Sequence, residues 1–148
     1  MSSALQRSFA SVADYIVKSA EQMPAEKFSF RATDDTRTFA QEIGHVADSH
    51  YFFCARVKNE PMPQREQLEN VTGKAALVAG LKASVDYCKG AYDALSDGAL
   101  ASSFQTARGP GVRLAPASNN IAHDNEHYGK IVTLLRMNKL VPPSSQGQ

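Results

Sequence analysis

The stretch Asn120-Ile-Ala-His-Asp-Asn-Glu-His-Tyr-Gly-Lys-Ile-Val-Thr-Leu-Leu-Arg136 places His123 and His127 four residues apart in a segment that also carries Ile121, Ile131, Leu134 and Leu135. Read as a helix, predicted over about 117–137 with Asn138 as its C-terminal stop, it sets the two imidazoles one turn apart on one face. Two imidazoles so placed can grip one metal ion. Two ligands do not make a site, so the rest of the chain has to be read for a third.

Immediately upstream, residues 96–117 hold Gly98, Gly109, Pro110, Gly111 and Pro116 and read as the longest irregular stretch, with a short extended piece near 112–114. Arg108 and Arg113 flank its glycine-proline core; surface arginines are their ordinary reading, a clamp for a carboxylate their functional one. Before that loop, Leu77, Leu81, Ser84, Val85, Cys88, Ala91 and Leu95 keep a helical period. Thr72 is a candidate N-cap for this helix and Gly98 a candidate left-handed stop, while Gly80 and Gly90 within it suggest close helix packing. Residues 59–69 are polar and proline-bearing, long enough to cross the end of a bundle.

The helix preceding them is marked by Thr38 and Gln41, a capping box, followed by Phe39, Ile43, Val46, His50, Phe53 and Val57 at steps of three and four. It is predicted over 39–58, with Tyr51, Phe52 and Phe53 contributing to the core. Residues 25–37 read as a loop with aromatic anchors at Phe28 and Phe30, and Leu5, Phe9, Val12, Ile16, Ala20 and Met23 mark a first helix over 3–22, ended by Pro24. Four helices of this length predict an all-α four-helix bundle, with residues 1–141 as a single domain and 142–148 as a flexible tail.

Bulk properties narrow the function. A chain of 148 residues with a formal net charge of +1 and 21% charged residues offers no basic footprint for nucleic acid. No run of apolar residues is long enough for a membrane span and the N-terminus lacks a signal pattern, so a cytoplasmic protein is expected. Cys54 and Cys88 stand in no paired spacing and read as buried free thiols.

His123-Asp-Asn-Glu126-His127 has the form of the inverted zinc-peptidase motif, in which the glutamate is the general base. That class takes a downstream acidic ligand, yet no Asp or Glu occurs from Tyr128 to Gln148, and the chain is short for such an enzyme. A third imidazole must come from upstream. His45 suits better than His50, which falls on the apolar stripe, and facing helices about 8–10 Å apart can bring His45 to the pair. Spacing alone leaves both readings open: a metal site, or ordinary histidines satisfied by hydrogen bonds.

Thr38-Phe-Ala-Gln-Glu-Ile-Gly-His45-Val-Ala-Asp-Ser-His-Tyr-Phe, His123-Asp-Asn-Glu-His127-Tyr-Gly-Lys-Ile-Val-Thr-Leu-Leu-Arg and the Pro142-Pro-Ser ending together resemble the DinB-like superfamily, which includes YfiT-type proteins and metal-dependent thiol transferases. The resemblance implies an up-down-down-up four-helix bundle, often homodimeric. It also implies a divalent metal held by His45, His123 and His127, with zinc, nickel, iron or manganese all suited to three imidazoles. It further implies a small-molecule substrate, handled by thiol transfer with a low-molecular-weight thiol cosubstrate or by hydrolysis, through a nucleophile that the ion activates at neutral pH. The alternative is a non-catalytic stress-response or metal-sensing protein. Members often carry a further histidine where this chain has Glu126, which is then a candidate general base or a solvent-exposed residue. Asp48, one turn beyond His45, is a candidate to orient that ring by a hydrogen bond or a plain solvated position.

Overall fold

The computed structural model describes residues 1–106 and 109–147. Four long helices, α1 (Ser2–Gln22), α2 (Phe39–Lys58), α3 (Lys74–Asp93) and α5 (Leu114–Met137), form the bundle. A short α4 (Asp97–Ala101) and an antiparallel hairpin of β1 (Ser103–Thr106) and β2 (Gly109–Val112) link α3 to α5. Among the described residues no helix is long and apolar enough to cross a membrane.

Side-chain pairs fix the helix directions. His50 meets Ser84 and Cys54 meets Cys88, each partner 34 positions further on, so α2 and α3 run parallel. Glu42 meets His127 while Ser49 meets His123, and Gln6 meets Tyr92 while Glu21 meets Lys82, so α2 opposes α5 and α1 opposes α3. The bundle is therefore up-down-down-up, with α1 and α2 across the core diagonal and each packed against α3 and α5.

Parallel neighbours require a connection that travels the length of a helix, roughly 30 Å for 20 residues. Residues 59–73 make that return along α2. Both Asp48 carboxylate oxygens accept from backbone N–H groups on it, Leu68 at 2.9 Å and Glu69 at 3.0 Å, and Arg65 pairs with Asp48 at 2.6 Å. Gly44 permits the approach, because a Cβ there would overlap the backbone of Leu68 and Glu69.

Local sequence explains the helix ends. The capping box of α2 is complete, Thr38 Oγ1 accepting from Gln41 N and Gln41 Oε1 from Thr38 N, and Asn59 closes the helix in the left-handed region at φ 57°. Asn138 stops α5, with its side-chain amide on Leu134 O. Phe28 is buried edge-on against Phe39, as an anchor should be. The apolar stripe of α1, from Phe9 through Val12, Ile16 and Ala20 to Met23, is buried throughout.

Several expectations are corrected. Cys54 and Cys88 are not free thiols but a disulfide, because parallel packing of α2 and α3 brings two positions 34 apart to a Cα separation of 5.2 Å. The described residues of 96–117 are largely regular. Gly98 lies inside α4, capped by Ser96, rather than ending α3, and Leu114 already belongs to α5, whose first turn tolerates Pro116 because N–H groups there lack intrahelical acceptors. α3 begins at Lys74 with Gly73, not Thr72, as its cap. Gly80 faces the Leu68 side chain of the return segment instead of a helix, and Gly90 faces open space. The stretch expected as a tail lies against the bundle over Pro142–Ser145: Pro143 is buried, and Tyr128 donates to Ser144 Oγ at 2.9 Å.

Candidate metal centre

α5 carries His123 and His127 on one face, and α2, antiparallel beside it, supplies His45 from the opposing wall. One ligand atom from each of the three lies within 4.8 Å of the others. His45 Nε2 and His123 Nε2 are 3.2 Å apart, close to the roughly 3.3 Å edge of a tetrahedron with bonds of about 2.05 Å. The rings are half-buried at His45 and His123 and buried at His127.

What lies behind the rings decides which nitrogen faces the centre. His127 Nδ1 is 2.6 Å from Glu42 Oε2, a carboxylate that is itself buried in the first turn of α2. His45 Nδ1 is 3.2 Å from Glu69 Oε2 on the return segment, and Arg37 holds that glutamate through its other oxygen at 2.7 Å. A carboxylate can only accept, so each Nδ1 carries its proton and each Nε2 keeps its lone pair. Arg37 Nη2 also lies 3.3 Å from His45 Nδ1; with that nitrogen protonated, the guanidinium bonds Glu69 rather than the ring. The arrangement is the carboxylate–histidine pairing that fixes ring orientation around bound metals. Burial, reinforced by the neighbouring His127, holds His123 well below the usual imidazole range, to about 4, and burial followed by Arg37 lowers His45. Both rings are therefore neutral at pH 7, the form that binds a cation.

Glu42 and Glu69 carried no sequence signal as partners. Asp48 does not touch His45; it anchors the segment that delivers Glu69. Glu126 stands on the solvent side of α5, 63% exposed and paired with Lys130 at 2.7 Å. Arg113 precedes α5 with its backbone N–H on Ser102 O, and Arg108 lies outside the described residues. His50 is absent from the cluster, as its place on the apolar stripe predicts. It is fully buried, with Nδ1 2.9 Å from Ser84 Oγ and Nε2 3.2 Å from Asp124 Oδ2. Because Ser84 Oγ–H donates to Leu81 O, Ser84 Oγ accepts from His50 Nδ1–H. That buried network orders the core and does not open to solvent.

His45 lines a cleft of about 540 Å³ together with Ser49, Phe52, Met62, Gln64 and Gln67, among others. Phe52 was expected in the core and is instead 43% exposed on this wall, with the Arg56 guanidinium 3.5 Å above its ring. Phe53 sides with His123, ring centroids 5.6 Å apart.

A model of the DinB superfamily matches residues 8–131. The chain belongs to the DinB superfamily. The fold agrees: a crystal structure of a DinB-like protein from Bacillus cereus ATCC 10987 is similar, with a TM-score of 0.79 at 15% identity, 94% of this chain and 93% of that one being covered. A conserved protein from Enterococcus faecalis superposes with a TM-score of 0.73 at 14% identity over 93% of this chain and 96% of that one. No curated protein matches the sequence. For this DinB-superfamily chain the donor set itself fits a divalent ion. His45 and His127 aim lone pairs, not N–H groups, at one point shared with His123, and such a set is matched by a cation.

Proposed function

We propose that this DinB-superfamily protein is a divalent-metal-dependent enzyme that transfers a small thiol to an electrophilic small molecule, with His45, His123 and His127 holding the ion. The carrying observation is the convergence of three imidazoles, two of them backed by carboxylates, beside an open cleft that His45 lines. When bound there, the ion supplies Lewis acidity that lowers the pKa of a thiol at its remaining position. Glu42 and Glu69 keep the rings oriented and raise their basicity. Phe52 and Met62 give the cleft apolar surface for the body of an uncharged electrophile, and Gln64 and Gln67 offer amide hydrogen bonds. In the reaction the sulfur–carbon bond forms as the bond to the leaving group breaks, the leaving group departing with the electron pair and the thiol proton passing to solvent. Hydrolysis of an activated ester is the near relative, with water in place of the thiol.

The test pairs elemental analysis with turnover. The metal-loaded protein is expected to consume a model electrophile only with thiol present, and His45→Ala to lose both metal and turnover. Stoichiometric metal with no reaction across thiols and esters would favour a binding or sensing protein. Absence of metal after reconstitution would remove the reading altogether.

A further inference from the structure

Ser49 stands on α2 one turn beyond His45, half-buried, on the boundary between the histidines and the cleft. Its Oγ is 3.4 Å from His123 Nε2. Without an ion, that nitrogen's lone pair can accept the hydroxyl proton. An ion held by the three imidazoles would take that lone pair, and the hydroxyl would then lose this acceptor while still lining the cleft. The other carboxylates nearby are engaged elsewhere: Asp48 with Arg65 and the Leu68 and Glu69 backbone, Glu69 with Arg37 and His45. Among the described residues, the cationic side chain that lines the cleft, Arg65, is paired with Asp48 and lies over the Tyr51 ring. Recognition of a negatively charged group therefore falls to a neutral donor.

We propose that Ser49 Oγ–H donates a hydrogen bond to the exogenous ligand in the open coordination position and makes the site selective for compact anions rich in lone pairs, thiolates foremost. Ser49 is thus a positioning and selectivity residue for the incoming nucleophile. The inference rests on the three-histidine metal reading. It deepens that reading by naming how the fourth position chooses its occupant. The competing fate of the hydroxyl is the His45 carbonyl, four residues back on the same helix, a bond that serines commonly make.

The experiment uses the full chain loaded with cobalt(II), whose visible absorption reports coordination, titrated with azide and with 2-mercaptoethanol. Wild type, Ser49→Ala and Ser49→Thr are compared, with cobalt affinity measured separately for each. Ser49→Ala is expected to keep cobalt affinity while binding both probes roughly ten- to a hundredfold more weakly, the usual consequence of removing a hydrogen bond to a charged group. Ser49→Thr, which retains the hydroxyl, should restore most of it. Titrations of Ser49→Ala that overlay wild type would overturn the inference and leave the metal reading intact. So would loss of cobalt itself in Ser49→Ala, which would mark the side chain as structural. Failure of wild type to bind cobalt would instead overturn the metal reading.

Discussion

Glu42 brings a carboxylate to a place where it is only 5% exposed, and a buried charge is tolerated only with a partner. The partner is His127 Nδ1–H at 2.6 Å, so the two residues define each other's orientation across the α2–α5 seam. Glu42→Gln leaves a weaker neutral acceptor, and metal affinity should fall about 10- to 100-fold with helical content unchanged. Competition with a chromophoric chelator measures this; an affinity equal to wild type would show that His127 needs no carboxylate behind it. Glu69→Gln, on a more exposed side chain, should cost less. A pH effect belongs to His123. Its pKa is lowered by burial from 6.5 unfolded to about 4 folded, so between those values the unfolded chain binds more protons. Metal-free protein should therefore lose stability as pH falls from 6.5 towards 4, and His123→Gln should flatten that slope in urea titrations. The histidine pair was legible in the sequence because four-residue spacing is a helical signature. The carboxylates behind the rings were not, since one reaches across from another helix and the other from a connection without period.

Among the elements, those with local signals were read closely. α2 was expected over 39–58 and spans Phe39–Lys58, because Thr38 and Gln41 fix its start by bonds within one turn. α5 was expected about three residues late, since its first turn follows Arg113 without a side-chain cap and includes Pro116. The return segment 59–73 was the element least visible in advance. Its shape comes from Asp48, 20 residues before Leu68, and from the missing side chain of Gly44. Gly44→Ala sets a Cβ against backbone that has no rotamer to give, so overpacking of about 1–3 kcal/mol is expected. Because the same segment carries Glu69, metal affinity should drop along with the melting temperature. A variant with wild-type melting and affinity would mean that the segment is not seated on α2 as described.

Across the whole molecule, the up-down-down-up arrangement was expected from resemblance and not from periodicity, which fixes where helices lie but not which run parallel. Parallel α2 and α3 align His50 with Ser84 and Cys54 with Cys88, and the second of these pairs is covalent. Cysteine spacing could not show it, because the pairing depends on a return segment that carries no pattern of its own. Closing a loop across a separation of 34 residues restricts the unfolded chain and should contribute roughly 3–4 kcal/mol. Cys54→Ser combined with Cys88→Ser should thus lower the melting temperature by roughly 10 °C while keeping the histidine cluster and its metal affinity, since Glu42, His45, His123 and His127 lie on the α2–α5 side. Both cysteines are fully buried, so glutathione should leave the native protein unreduced and act only once denaturant exposes the bridge. In an oxidising compartment the bond would be routine; in a reducing one it survives through burial. Thiol titration of unreduced, denatured protein decides the point, because two reactive thiols there would show that α2 and α3 are held by packing alone.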